Sequence, residues 1–240
     1  MFQIGPVADC LFGGSQTLHA FEFACHDGRA PSHRDAPDMH RTPVGEVQFY
    51  HLNVARQATH EAIALLLGDR SGELYSAAAD DTAQAEDFDE VQRADTITLL
   101  VDGERLADKG KRHNVQMEVR TILRVLVEAK LVSAHQRLAV VLTKADVFKS
   151  DAPGLTSVES DFDRLVHAIK EEHGTHFAAI TAFVTAASPQ AGEMMRGTGV
   201  ADVMAYWLQP VVTPAAEFPA SELGDRCFGL LASPREIADE

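Results

Sequence analysis

Two apolar runs end in residues suited to chemistry. Ala62-Ile63-Ala64-Leu65-Leu66-Leu67-Gly68 stops at Asp69-Arg70-Ser71-Gly72-Glu73. An Asp there can reach a magnesium ion through water, and a Gly lets a backbone N–H approach a phosphate closely. The second run, Leu138-Ala139-Val140-Val141-Leu142, stops at Thr143-Lys144-Ala145-Asp146. Unbroken apolar runs closed by turns mark buried strands of a parallel sheet, and ligands of open α/β sheets gather at the carboxyl ends of such strands.

In order and type, the two ends resemble the DxxG and [NT]KxD motifs of P-loop GTPases of the translation-factor-like (TRAFAC) class. More narrowly, they resemble the bacterial double-GTPase domains, whose strand commonly ends in a DxSGE-like sequence. The resemblance covers about residues 1–210, leaving 211–240 as a tail. It implies a P-loop GTPase-like three-layer α/β sandwich whose mostly parallel sheet has an antiparallel hairpin at one edge. It also implies a guanine-nucleotide-binding switch domain using GTP/GDP and magnesium. Asp146 would accept from guanine N1–H and the exocyclic amine, a donor pair adenine lacks, while the Lys144 stem lies along the base. Thr143 stands where Asn is commoner. Ala186 and Ala187, in Thr185-Ala186-Ala187-Ser188, match the short [ST]A loop whose backbone contacts guanine O6. Thr42 and Asp69 would serve magnesium, and Gly72 the phosphate. Glu73 occupies the place where many small GTPases carry the Gln that orients the attacking water. Its charge would repel the γ-phosphate, so hydrolysis is expected to be weak.

The chain departs from the resembled pattern in having no GxxxxGK[ST]. Gly13-Gly14-Ser15-Gln16-Thr17 lacks the Lys that reaches the phosphates, and Ser15 reads instead as the cap of a helix with Leu18, Phe21 and Ala24-Cys25 on one face. Nucleotide and magnesium binding are therefore conditional on a first strand and phosphate loop supplied from upstream of Met1. That strand belongs between the one ending at Asp69 and the one ending near Asp102. The alternatives are a nucleotide-independent adaptor acting by protein contact and an unrelated α/β enzyme. No GxSxG, HExxH or GxGxxG motif favours the enzyme.

The elements that must position these residues follow from periodicity. Residues 45–54 alternate and 61–68 are continuously apolar, which predicts a hairpin. Strands are expected at 96–103, 138–142 and 177–184, the first closing at a turn-forming Asp102, and amphipathic helices at 115–132, 157–173 and 200–208. Residues 1–14, with four glycines and prolines, read as irregular. Residues 26–43 form a long polar loop that aligns with a first switch ending at Thr42. Its His33, Asp35, Asp38 and His40 also suit zinc, though solvated loop histidines are the simpler reading. The acidic stretch 77–90 reads as a mobile segment or exposed helix, and Lys109-Gly110-Lys111-Arg112 as a solvated basic loop.

A net charge of −15 with 21 Lys and Arg excludes nonspecific nucleic-acid and anionic-membrane binding as the main activity. Three dispersed cysteines form no CxxC site or disulfide framework. With no bilayer-length apolar segment and no signal pattern, a cytoplasmic protein working with a protein partner or adjoining domain is expected.

Overall fold

The computed structural model describes residues 5–26, 47–80, 85, 87–148, 156–189 and 194–210. Thr42 and the His/Asp-rich loop lie outside them. The strands form two three-stranded sheets, one of order β1-β2-β3 and one of order β4-β5-β6. The first joins β1 (Cys10–Gly14), β2 (Val47–Arg56) and β3 (Ala62–Arg70) in antiparallel register, with Val54 opposite Ile63 and Leu52 opposite Leu65. The second joins β4 (Thr96–Asp102), β5 (Arg137–Thr143) and β6 (Ala179–Val184), all parallel. The hairpin and the parallel strands therefore form as expected. They do not share one sheet among the described residues, because β3 and β4 each pair on one side only.

Three expectations need correction. Residues 10–14 are a strand rather than irregular backbone: β1 pairs with β2 from Cys10 to Phe12, and Gly14, at φ +143°, sits where the register shifts. Glycine there serves a bulge. The run in β3 is not buried on both faces. Ile63 and Leu65 pack inward, while Leu66 on the opposite face is 70 % exposed. The acidic stretch also enters the core. α1 (Leu18–His26) precedes the hairpin; after it α2 (Gly72–Asp80) and α3 (Asp89–Arg93), with Ala85 and Phe88 between them, bury Ala78, Ala85, Phe88 and Val91 against Val125 and Leu126. Asp87 and Asp89 face out while these apolar residues turn in.

The parallel sheet is the middle of three layers. After β4 come α4 (Gly103–Ala107) and α5 (Arg112–Glu128), and after β5 come α6 (Ala145–Phe148) and α7 (Thr156–His173). Leu138, Val140 and Leu142 of β5 face Val119 and Leu123 of α5 and Phe162, Leu165 and Ile169 of α7. Ala139 and Val141, on the other face, meet Val203 and Tyr206 of α8 (Val200–Trp207). α8 also packs Met204 and Leu208 against Val54 and Cys10, so one helix lies on both sheets. No helix of the described residues is long and apolar enough to cross a membrane.

Arg112, expected in a solvated loop, instead reaches the buried Asp161 of α7 at 2.6 Å. Gln136 is fully buried, its amide donating to the carbonyls of Val91 and Ala94 at 2.7 and 2.8 Å and accepting from Ser133 N–H at 2.8 Å. A buried amide so fully paired costs little and fixes the end of α3 on the sheet.

Tyr75 of α2 stands edge-on to Phe88, their ring centres 5.0 Å apart. Burial, then the carboxylates of Glu90 and Asp69, push its phenol up to about 12, against the partial relief of Arg70. Because the folded value lies above the ordinary one near 10, the contribution to stability is complete below pH 10 and is lost as pH rises through about 12. Spectrophotometric titration should show a tyrosine step at about pH 12, and Tyr75→Phe should remove it; a titration without that step, or one unchanged by the substitution, would contradict this packing.

Candidate functional site

The carboxyl ends of β5 and β6 meet. Ala145 N–H donates to Thr185 O at 2.9 Å, and Thr185 donates to Leu142 O from its N–H at 2.8 Å and from its hydroxyl at 3.4 Å, so the ends of β5 and β6 are stitched together mainly by backbone. The cause is the parallel register, which puts Leu142 opposite Val184 and Asp102 opposite Thr143. Thr143 turns its hydroxyl back to Val101 O at 3.2 Å, serving the sheet. Asp146 is half-buried in the first turn of α6.

Two glycines hold the ends this tightly. A Cβ on Gly103 would lie 2.3 Å from Thr143 O and 2.8 Å from the Phe148 ring. Gly199, at φ +74°, would place one 2.1 Å from Val184 O. The chain beyond Gly197 folds back over the β6 loop, and Ala186 N–H donates to Thr198 O at 3.0 Å, while Gly197 N–H is shared between the carbonyls of Ala186 and Ala187 at 3.1 Å. Ala186 is buried and its N–H is thus engaged within the protein, whereas Ala187 and Ser188 are exposed at the rim. No pattern along the chain signals this fold-back, since it rests on contacts between segments about ten residues apart.

Asp69, Gly72 and Glu73 belong to the antiparallel sheet's end. Asp69 is half-buried on β3 opposite Gln48. Ser71 is buried and starts α2, its Oγ accepting from Glu73 N–H at 3.4 Å and its carbonyl from Leu74 N–H at 3.1 Å. Gly72 and Glu73 are exposed in the first turn, and a Cβ on Gly72 would meet nothing within 4 Å. Protein packing among the described residues therefore does not account for glycine at 72.

Arg70, to which no role attached from sequence, is structural. Its guanidinium pairs with Glu90 at 2.5 and 2.9 Å, donates to Asp87 O at 3.0 Å and lies 4.5 Å over the Phe88 ring. Both charged side chains are only 9 % exposed. The pair ties α3 to β3, and Glu90 holds the Arg70 guanidinium above its ordinary range despite burial. No group of three or more His, Cys, Asp or Glu among the described residues could hold a metal ion.

The β4–β5 junction supplies a check on this geometry. Gly103→Ala should destabilise the protein by about 1 to 3 kcal/mol, because backbone rather than a flexible side chain blocks the added carbon. Denaturant unfolding would measure it, and an unchanged midpoint would show that α4 does not sit against Thr143 as described.

No curated protein and no solved structure matches the chain. One family model, Double-GTPase 2, matches residues 1–208. With that match running from before β1 to the end of α8, and through both strand-end motifs, the chain belongs to the Double-GTPase 2 family.

Proposed function

We propose that this domain is a guanine-nucleotide-binding switch whose base pocket is formed by the joined β5 and β6 loops. The observation that carries the reading is the Ala145 N–H to Thr185 O bond, which brings two segments 40 residues apart to one mouth. Asp146 supplies the carboxylate for guanine N1–H and its amine. The exposed backbone at Ala187 suits the O6 acceptor better than Ala186, whose N–H already has a partner.

The described residues fit the base more fully than the phosphates. Asp69 gives one hard oxygen ligand for magnesium, Thr42 being outside the described residues, and open space at Gly72 suits a phosphate. We assign the remaining phosphate contacts to a strand and phosphate loop beyond the described residues, joining β3 to β4 through their unpaired edges. Until that segment is in place, GTP and GDP bind weakly, because charge-assisted contacts are each worth about 1.5 to 3 kcal/mol. Glu73, exposed at the start of α2, keeps hydrolysis slow by repelling the γ-phosphate. An adjoining domain or protein supplies that segment.

A second reading has its own observation. Leu66 on β3 and Leu100 on β4 are 70 % and 64 % exposed beside those unpaired edges, a surface suited to an added strand from a protein partner. That is the adaptor reading, in which no nucleotide is required.

Two measurements separate these. Asp146→Asn should shift preference from guanine to xanthine nucleotides, the amide donating where xanthine O2 accepts, as followed by nucleotide titration; equal binding of ATP and GTP would overturn the guanine reading. Hydrogen exchange should find the outward-facing amides of β3 and β4 exchanging faster than those of the inner strands β2 and β5, and becoming protected when a strand-bearing segment is added. Protection without any dependence on nucleotide would favour the adaptor.

A further inference from the structure

Lys144 is held in an unusual way. Its backbone sits at φ +57°, a left-handed conformation that costs a β-carbon-bearing residue energy unless the surroundings impose it. Its ammonium is fixed at the other end, donating to Asp102 Oδ2 at 3.1 Å and to Glu104 Oε2 at 2.8 Å. Asp102 is itself hydrogen-bonded to the backbone. It closes β4, and its Oδ1 caps α4 by accepting from Glu104 N–H and Arg105 N–H at 3.0 and 3.2 Å.

One end of the lysine is thus anchored where β5 stops and the other where β4 stops. The aliphatic stem must span the two strand ends, two residues before Asp146 in the chain. A lysine free in solution would sample many rotamers and lose that freedom on packing under a ring. This one has lost it already.

Resting on the guanine reading above, we infer that Asp102 and Glu104 are positioning residues that hold the Lys144 stem flat as the floor of the base pocket. They touch no nucleotide. They also pair the ammonium away from the base and leave the cluster one net negative charge, so the stem presents carbon rather than an unpaired cation to the base. The two carboxylates, Glu104 foremost, hold the Lys144 ammonium above its ordinary range against the opposing effect of burial, in keeping with the geometry. The side chains are 30 to 63 % exposed, so water screens the ion pairs and the effect on binding is modest.

The test uses the full chain and GDP, followed by titration of nitrogen-labelled protein in NMR, which reads weak binding. Asp102→Asn combined with Glu104→Gln preserves shape and the α4 cap while removing both charges. GDP affinity should fall about fivefold, the scale of exposed ion pairs. In an Asp146→Asn background the same pair of changes should weaken xanthosine diphosphate by the same factor, because a floor serves either base. The Lys144 ammonium should titrate lower in the double variant with or without nucleotide while the amide spectrum of the folded protein is retained, a combination that a general loss of stability would not produce. A double variant that binds GDP as tightly as the parent overturns this inference and leaves the guanine reading standing. A parent protein showing no GDP-dependent shifts at millimolar nucleotide overturns both.

Discussion

The carbonyl end of α8 is the point at which the two sheets are held to each other. A helix leaves its last carbonyls without intrahelical donors and carries partial negative charge there. Here an arginine from each sheet answers it. Arg56, at the end of β2, donates to Leu208 O at 2.8 Å, and Arg137, at the start of β5, donates to Gln209 O at 3.0 Å. Trp207 adds a bond to Thr98 of β4 at 2.9 Å, and the Tyr206 ring lies against Phe183 and under the Arg137 guanidinium. With β3 and β4 unpaired to one another, side chains on one short helix do what a shared ladder of backbone bonds would otherwise do.

That arrangement explains why the parallel sheet is well packed and the antiparallel one less so. β5 has α5 and α7 on one face and α8 on the other, and its residues from Arg137 to Leu142 are all buried. β3 has α8 on one face only, so its apolar run alternates between half-buried and exposed. The guanidinium of Arg70 then matters for the less covered sheet, drawing α3 to the end of β3 through Glu90 and the Phe88 ring. The two halves of the candidate site inherit this difference. The β5–β6 junction rests on backbone bonds between buried strand ends, and the end of β3 on an exposed first turn of α2.

Charge is arranged to match. The chain carries −15 overall, yet the mouth of the parallel sheet sets a lysine between two carboxylates and leaves Asp146 at the next turn. An anionic ligand at this mouth must bring its own counterion or meet further cations.

Pattern in the sequence determined the elements and their kinds. Continuous apolar runs of β-branched and leucine residues made β4 and β5 parallel strands, alternation made β2 half of a hairpin, and 3.6-residue spacing made α5, α7 and α8, because these depend on neighbours along the chain. The Thr143–Asp146 segment was legible for the same reason, its residues lying at fixed spacing after a strand. What the sequence could not carry depended on residues far apart. That β1 pairs with β2, that the sheets are separate, that Ala186 spends its N–H on Thr198, and that Asp102 and Glu104 fix Lys144 are all long-range contacts. They are set by which faces must be buried together, and a one-dimensional pattern records that a face is apolar without recording what will cover it.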